Sequence, residues 1–439
     1  MDAPPDFSIP LLGPPRVPSP LRLRSREGRG GPHFVGERER ILWDDCIDRL
    51  PAGGGVLPTL ELAGPRRDLF FDPEETAFGI VTCGGLCPGL NDVIRGLVML
   101  GFHRYGVRRF RGFRYGFRGL VPRYGHPVME LRPELVSDIH KEGGTLLGTS
   151  RGPQDTGEMV DTLERLDVDV LFVIGGDGTM RGALDLVAEV RRRGLAIGIV
   201  GVPKTIDNDL EHLDQSFGFE TAYSLAEESI VGAHNEARGV PGGVGLVKLM
   251  GRHSGLLACH ATLATSEVNF CLIPEVPFQL EGEGGLLEAL RRRLEERGHA
   301  VIVAAEGAGQ HLFDSDPGLD ASGNRRLHDL GPFLAERIGA GLEARGVECS
   351  VKYIDPSYIV RSLPARPPDS VYCWRLAQHA VHAAMSGRTE MVVGLWHGRM
   401  VHVPMRLVAS GGKRVDPEGD LWLSVLESTG QPSLTGSLD

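Results

Sequence analysis

Short apolar runs that end in glycine, proline or a charged residue recur along this chain, and they constrain its fold more than any other feature. Several are followed by a stretch with helical periodicity, such as residues 92–102 and 182–194. Apolar strands that alternate with helices indicate an α/β protein whose parallel sheet is covered on both faces. In such a sheet the ligand lies at the carboxyl ends of the strands, and these runs carry their polar residues there. The runs occupy residues 77–85, 168–178, 196–209, 244–252, 268–275, 299–309 and 349–354.

Composition limits the function classes. The 439-residue chain has a net charge of −11, which opposes general nucleic-acid binding because that binding needs Lys and Arg to neutralise phosphates. No apolar run reaches the roughly 18 residues that span a bilayer, and the N-terminus shows no signal-peptide pattern. The seven cysteines contain no CxxC pair, so we expect reduced thiols in a cytoplasmic protein.

Three segments stand apart from the alternating pattern. Residues 1–75 are rich in proline and arginine and are interpreted as an N-terminal extension, either packed on a neighbouring subunit or partly disordered, with a short helix at 37–50. Residues 104–119 interleave arginine with aromatic residues and are interpreted as a solvated edge. Residues 410–439 contain GGK, DPEGD and STGQPS, which predicts a weakly ordered tail.

Two glycine-rich turns follow apolar runs and open helices. In residues 84–91 (GGLCPGLN), glycines let the backbone approach a phosphate and the next helix offers free N–H groups, although a tight strand-to-helix turn explains the pattern equally well. Residues 175–179 (GGDGT) repeat the design with a carboxylate, Asp177, at the tip. A bridging Mg²⁺ explains an acid beside a phosphate, and GGDGT is typical of several kinase groups.

The stretch PKTIDND (residues 203–209) is the most informative one. It places a lysine, a hydroxyl, an amide and carboxylates at the end of an apolar run. Asp207 can accept a proton from an attacking hydroxyl, and Lys204 can offset charge on a transferring phosphoryl group. In extended chain, residues 205, 207 and 209 would point to one side. A capped loop that satisfies its own backbone is the alternative.

Charged residues follow three further runs, and two of them are arginines that can hold an anion. Arg252 and Arg361 can each bind a phosphate or carboxylate in a bidentate manner. Glu306 ends the run at 299–309, and a lone glutamate at a strand end is more often a surface residue.

These motifs in this order resemble the phosphofructokinase family over about residues 77–400: GGLCPGLN, GTSRGPQ, GGDGT, PKTIDND, MGR, AEG and YIVR. GGDGT together with PKTIDND resembles the longer-chain ATP-dependent branch. The resemblance implies two doubly wound, mostly parallel-sheet lobes with the active site in the cleft between them. It implies transfer of the ATP γ-phosphoryl group to the 1-hydroxyl of fructose 6-phosphate.

The resemblance also assigns roles to individual positions. The catalytic residues are Asp207 as base, Lys204 and Thr205, and Asp177 holds Mg²⁺. The ATP-binding residues are Gly84, Arg151, Gly152, Gly176, Asp177, Gly178 and Thr179. The sugar-phosphate-binding residues are Thr205, Ile206, Asp207, Met250, Gly251, Arg252, Glu306, Tyr358, Ile359, Val360 and Arg361.

Two positions bear on the phosphoryl donor. In the pyrophosphate-dependent relatives an aspartate stands at the place of Gly178, where its carboxylate repels the α-phosphate of ATP. Glycine therefore favours ATP. Lys204 also occurs in the pyrophosphate enzymes, so a pyrophosphate-dependent fructose-6-phosphate 1-phosphotransferase is the alternative.

The expected domains follow the motifs. We predict an extension at 1–75, a nucleotide-binding lobe at 76–205 that is rejoined by about 345–405, a sugar-phosphate-binding lobe at 206–344, and a tail at 406–439. The family implies a homo-oligomer, a dimer or tetramer, with small-molecule substrates and no nucleic-acid or membrane partner.

Overall fold

The computed structural model describes residues 5–23, 33–49, 57–319 and 325–435. They divide into two compact units. The first unit comprises Met1–Thr205, Leu210–Phe217 and Pro364–Gly411, and the second comprises Ile206–Asp209, Gly218–Leu363 and Gly412–Asp439.

Strands and helices alternate through both units. The strands are β1 (Val17–Pro18), β2 (Arg40–Leu42), β3 (Thr59–Leu62), β4 (Asp68–Leu69), β5 (Ala77–Thr82), β6 (Arg109–Phe113), β7 (Met129–Glu130), β8 (Val170–Gly175), β9 (Gly198–Pro203), β10 (Gly243–Leu249), β11 (Phe270–Leu272), β12 (His299–Ala305), β13 (Ser350–Ile354), β14 (Met391–Trp396) and β15 (Arg399–Pro404). The α-helices are α1 (Leu90–Leu100), α2 (Pro133–Val136), α3 (Thr156–Arg165), α4 (Asp177–Arg192), α5 (Phe219–Arg238), α6 (Leu256–Thr265), α7 (Leu286–Arg297), α8 (Leu330–Glu343), α9 (Ser357–Val360), α10 (Pro367–Met385), α11 (Met405–Val408) and α12 (Asp420–Thr429).

The first unit is built on a nine-stranded sheet in the order β2-β3-β15-β14-β9-β8-β5-β6-β7. The five central strands, from β14 to β6, are parallel, whereas the strands at both ends pair antiparallel. Every residue of β5, β8 and β9 is buried, because helices cover both faces of the sheet. Helix α1 packs on α10, and α3 packs on α4.

The second unit is built on a four-stranded parallel sheet in the order β11-β12-β10-β13. Alternate residues of β10 enter two different cores. Val247 and Leu249 pack with α5 and α6, whereas Val244 and Leu246 pack with α7 and α8. This alternation is the period of two expected for a strand covered on both faces. The predicted fold class, α/β with two mostly parallel-sheet lobes, is therefore confirmed, and the location of the active site stays a prediction.

The described residues of the N-terminal 75 do not form a separate arm. Strand β3 pairs with β15, so the segment completes the sheet of the first unit. Phe7 is buried beside Trp43 and His212. The predicted helix at 37–50 is wrong at residues 40–42, which form β2 and pair with β3, and only Ile47–Arg49 form a short 3-10 helix. Residues 1–4, 24–32 and 50–56 lie outside the described part of the chain.

Two other expectations are corrected. The arginine–aromatic run at 104–119 contains β6, in which Phe110 and Phe113 are buried within the sheet. The predicted tail contains α12, whose Trp422 and Val425 are buried in the core of the second unit. The lobe boundaries also differ from the predicted ones, since the chain returns to the first unit at residue 364 and leaves it again at 412.

Candidate active site

The carboxyl ends of β5, β8 and β9 meet at one edge of the nine-stranded sheet. The strands are neighbours and parallel, so the residues that follow them must lie together. We name residues 84–85, 176–179 and 204–205 the large-sheet edge. The structure therefore brings together three motifs that are spread over residues 84–205 of the sequence.

The turn after β5 presents backbone rather than side chains. Gly84 has a φ of 86°, a left-handed conformation that glycine adopts at little cost. Its N–H donates to Ser150 O at 3.0 Å, and Thr149 Oγ1 donates to its carbonyl at 2.7 Å. A Cβ on Gly85 would lie 3.1 Å from Arg151 Nη2. These contacts bring the loop with Arg151 and Gly152 to the large-sheet edge, where the glycines leave the backbone accessible.

Lys204 supplies a buried positive charge at the same edge. Its side chain is only 6% exposed, and its Nζ donates to Gly85 O at 3.0 Å. A Cβ on Gly84 would lie 3.3 Å from that Nζ. The Lys204 backbone N–H donates to Gly175 O at 3.0 Å, which fixes the lysine beside both glycine turns. A cation between two glycine turns is suited to a polyphosphate.

The turn after β8 opens α4, with Gly176 as its N-cap. The first N–H groups of this 16-residue helix have no partner within the helix and lie at the positive end of its dipole. A Cβ on Gly175 would lie 2.4 Å from the Thr179 side chain, so packing requires that glycine. Gly178 is different, because it is exposed and a Cβ there would meet only Arg181 Nη2 at 3.6 Å. Packing therefore does not explain the glycine at 178.

Asp177 offers an accessible carboxylate for a metal ion. It begins α4, and its Oδ2 accepts from Arg181 Nη2 at 2.8 Å, while the side chain remains 54% exposed. A single carboxylate fits Mg²⁺, which usually binds one or two carboxylates together with substrate phosphates and water. The described residues hold a cluster of three possible ligands only at Asp44, Asp45 and Cys46, on the surface.

A second set of predicted residues meets at the carboxyl edge of the four-stranded sheet. Strands β12, β10 and β13 are parallel neighbours. We name the residues that follow them, 250–252, 306 and 355–361, the small-sheet edge. Arg252, Glu306 and Arg361 thus belong to the same end of one sheet, although each came from a separate run in the sequence.

Two glycines lock the first two of these loops together. Gly251 has a φ of 127°, and a Cβ there would lie 2.5 Å from Ser254 O. Gly307 N–H donates to Gly251 O at 3.0 Å, and a Cβ on Gly307 would lie 2.0 Å from Arg252 O. Arg252 and Glu306 are therefore held on backbone that has no room for larger residues.

A charged network beneath Glu306 was not found from the sequence. Lys248 Nζ contacts Asp355 Oδ2 at 2.9 Å and Asp329 Oδ1 at 3.2 Å. Burial alone would lower the pKa of Lys248, but these two hydrogen bonds raise it above its usual value. Burial raises the pKa of Glu306, while Arg252 and Lys248 act to lower it. The available signal was a lysine in the otherwise apolar run VGLVKL, two residues before Met250.

The four residues of the YIVR motif have unequal surroundings. Tyr358 and Ile359 in α9 are 73% and 63% exposed, whereas Val360 is buried. The Arg361 guanidinium lies 4.3 Å from the centre of the Tyr358 ring. Val360 therefore anchors the motif, and the other three remain accessible to a ligand.

The chain passes from the first unit to the second between Thr205 and Ile206. Ser216 Oγ donates to Thr205 O at 2.6 Å, which ties this end of β9 down. The expectation of extended chain through residue 209 is wrong, because residues 206–207 form a turn and Asn208 has a φ of 54°. Asp207 is thus presented on a turn, half-buried, directly after the large-sheet edge.

Two general expectations can be compared with the described residues. None of the seven cysteines forms a disulfide, and burial raises the pKa of the Cys83 thiol to about 12, as expected for an inert core thiol. Among the helices of the described segments, none combines the length and apolarity needed to cross a bilayer.

Sequence comparison relates this arrangement to known proteins. The phosphofructokinase family model matches residues 77–384. An ATP-dependent 6-phosphofructokinase of Amycolatopsis methanolica is 51% identical, with 99% of this chain and 96% of that protein aligned. An ATP-dependent 6-phosphofructokinase of Borreliella burgdorferi is 46% identical, with 97% of each chain aligned.

Solved structures show a similar fold. A pyrophosphate-dependent phosphofructokinase of Marinobacter aquaeolei superimposes with a TM-score of 0.66 at 20% identity, over 83% of this chain and 92% of that one. Phosphofructokinase of Saccharomyces cerevisiae gives a TM-score of 0.58 at 23% identity, over 81% of this chain and 48% of that one. At these identities the similarity concerns the fold alone.

Proposed function

The chain belongs to the phosphofructokinase family, and we propose that its activity is that of an ATP-dependent 6-phosphofructokinase. It transfers the γ-phosphoryl group of ATP to the 1-hydroxyl of fructose 6-phosphate and gives fructose 1,6-bisphosphate. The observation that carries this conclusion is 51% identity to an ATP-dependent 6-phosphofructokinase over nearly the full length of both chains. The open position at Gly178 supports ATP as the donor, because packing does not require glycine there.

The large-sheet edge is proposed to bind ATP. The backbone of Gly84 and the N-terminus of α4, including Gly176, Gly178 and Thr179, surround the phosphates. Arg151 and Gly152 lie on the nucleotide. Lys204, held at Gly85 O, offsets negative charge on the transferring group.

Asp177 is proposed to hold Mg²⁺ through its accessible carboxylate. Mg²⁺ held there would supply positive charge that offsets the negative charge of the phosphates during transfer. Arg181 competes for one oxygen of Asp177 and also donates to Ala409 O at 3.2 Å, so it orients the carboxylate from the next turn of α4.

The small-sheet edge is proposed to bind fructose 6-phosphate. Arg252 and Arg361 provide guanidinium groups for the 6-phosphate, and an ionised Glu306 accepts hydrogen bonds from sugar hydroxyls. Met250, Gly251 and the 358–360 segment complete the contacts, together with Thr205 and Ile206. The positive charges of Arg252 and Lys248 act to lower the pKa of Glu306 against the effect of burial and so favour its ionised form.

Asp207 is proposed to be the general base. It takes the proton from the 1-hydroxyl as that oxygen bonds to the γ-phosphorus. The bond from phosphorus to the β–γ bridging oxygen breaks, and ADP leaves. Positioning and charge neutralisation supply most of the rate, and Thr205 positions the reacting groups beside Lys204.

Two broader features belong to the same proposal. Seven cysteines without a disulfide support a reducing compartment, so we place the enzyme in the cytoplasm. The family supports a homo-oligomer, a dimer or tetramer.

The test is product formation from fructose 6-phosphate and Mg²⁺ with ATP and with pyrophosphate in parallel. We expect turnover with ATP only. Turnover with pyrophosphate would mean that Lys204 outweighs Gly178 in donor choice. Turnover with neither donor would overturn the proposed activity.

A further inference from the structure

A strongly basic cavity lies in the first unit, away from the candidate active site. Its volume is about 890 Å³, within the range of small-molecule sites. Strands β2, β3 and β15 and helix α10 line it, and none of the predicted site residues does. In the sheet, β14 separates these strands from β9, the nearest strand that ends at the large-sheet edge.

The cavity concentrates guanidinium groups that lack acidic partners. Among the described residues, no hydrogen bond or ion pair occupies Arg38, Arg375 or Arg399, which all line it. A fourth, Arg40, binds Thr59 through its Nε and Nη2. Glu39 is the carboxylate in the lining, and its Oε1 already accepts from Gly36 N–H at 2.9 Å.

The charges behind the cavity do not offset this excess. There Arg66 and Arg388 both pair with Glu61, and Arg388 also pairs with Glu37. Two guanidiniums thus balance two carboxylates.

A half-buried histidine in the lining provides a second observation. His379, on α10, has a buried Nδ1 with no hydrogen-bond partner among the described residues, and the residue lines the cavity. Burial and nearby cationic groups lower the pKa of His379 to about 3. It is therefore a neutral imidazole near neutral pH.

A second large cavity does not show this excess of unpaired arginines. It has a volume of about 590 Å³ and lies in the second unit, where Arg292 and Arg293 face Glu283 and Glu296. Arg292 Nε also binds Glu288 Oε1 at 2.9 Å. Its basic groups are balanced locally, unlike those of the first unit.

We propose that the basic cavity of the first unit binds a small phosphorylated anion, separately from the active site. Three unpaired guanidiniums match the oxygens of a phosphate, since arginine binds this group in a bidentate manner. The volume leaves room for an organic group attached to the phosphate. Free phosphate and a phosphorylated metabolite share this chemistry, and the probes below distinguish them.

The test is calorimetric titration with inorganic phosphate and with glucose 6-phosphate. The wild type is compared with R375Q/R399Q, with the active-site variant R151Q/R252Q, and with R132Q/R337Q, which removes two exposed, ion-paired arginines elsewhere. Besides any binding at the small-sheet edge, we expect a class of binding that survives in R151Q/R252Q and R132Q/R337Q and weakens roughly tenfold or more in R375Q/R399Q, about the effect of losing one charge-assisted hydrogen bond. Tighter binding of glucose 6-phosphate identifies an organic occupant, and binding of inorganic phosphate alone identifies free phosphate.

Two outcomes would overturn the proposal. One is equal binding in the wild type and R375Q/R399Q, and the other is loss of all binding in R151Q/R252Q. Circular dichroism of each variant establishes that it is folded, and the single variant R399Q, at an exposed residue, repeats the test if the double variant is not. Because binding is measured without turnover, the result does not depend on the proposed activity.

Discussion

The two sheet edges are built from different parts of the chain. The large-sheet edge presents mainly backbone, with glycines at 84, 85, 176 and 178 and the open end of α4. The small-sheet edge presents mainly charged side chains, among them Arg252, Glu306 and the Lys248–Asp355 pair. Both lie at the carboxyl ends of parallel strands, so the topology is shared and the chemistry is not.

This difference has a physical consequence for substitutions. A backbone site loses function when atoms are added, because a new side chain fills the space that the ligand needs. A side-chain site loses function when atoms are removed, because charged hydrogen-bond partners are left unpaired. Substitutions at both edges test that contrast. The first is at Asp207, just after the point where the chain crosses from one unit to the other.

Asp207 is expected to show the largest effect on catalysis. Asp207→Asn keeps the size of the side chain but removes the base, so kcat should fall by roughly 10²–10⁴-fold. The KM for fructose 6-phosphate should change little, because hydrogen bonding by the amide is retained. Steady-state kinetics with both substrates measures the two effects.

The control for this variant is Asp185→Asn, at an exposed position on α4. It makes the same chemical change outside both edges and should leave kcat unaltered. Wild-type turnover in Asp207→Asn would remove Asp207 from the mechanism.

Gly178→Asp tests the backbone edge by addition. The new side chain can be accommodated, since its Cβ would meet only Arg181 at 3.6 Å. Its carboxylate, beside Asp177, repels the phosphates of ATP, and kcat/KM for ATP should fall roughly 10- to 100-fold. The KM for fructose 6-phosphate should stay the same.

Gly339→Asp is the matched control, because a Cβ at Gly339 in α8 would meet nothing within 4 Å. It adds the same charge to another helix and should not alter the use of ATP. Unchanged use of ATP in Gly178→Asp would contradict the donor argument.

Gly251→Ala and Gly84→Ala compare the two edges directly. The Cβ at 251 would lie 2.5 Å from the backbone oxygen of Ser254, whereas the Cβ at 84 would lie 3.3 Å from the end of the flexible Lys204 side chain. Both alanines are strained at positive φ, at about 1–3 kcal/mol each, but only Gly251→Ala forces backbone to move. We therefore expect the greater loss in free energy of unfolding for Gly251→Ala, measured by chemical denaturation. Equal losses would mean that φ strain, rather than the backbone contact, decides the cost.

Sequence patterns predicted the elements whose signals are local. The buried strands β5, β8 and β9 are continuous apolar runs, and their last residues are the motifs that the topology brings together. Helix α4 has both a periodic pattern and a glycine N-cap. Parallel pairing then requires the strand-end motifs to share an edge, so the grouping of the site could be anticipated without coordinates.

Elements that depend on distant partners were missed. Strand β3 is only four residues long, and it pairs with β15. Glu61 of β3 lies opposite His402 of β15, although the two residues are more than 300 positions apart in the sequence. Helix α12 lies between segments rich in glycine and proline, and only burial of Trp422 in the second unit marks it as structural. Lys248 belongs to no recognisable sequence motif. Its importance comes from its ion pair with Asp355, which lies in the loop after β13.

Lys248→Met tests the side-chain edge by removal and should have the smallest effect. An ionised Glu306 is needed to accept hydrogen bonds, and burial already raises its pKa. Binding of fructose 6-phosphate should therefore weaken as the pH falls through that raised pKa. Removing the positive charge of Lys248 raises the pKa of Glu306 further, so the loss should begin at a higher pH than in the wild type. The profile of kcat/KM for fructose 6-phosphate against pH measures this shift, with Lys141→Met, at an exposed ion pair with Asp138, as control. A shift to lower pH, or an identical shift in Lys141→Met, would show that Lys248 does not act through Glu306, and the small-sheet edge would then depend on its arginines alone.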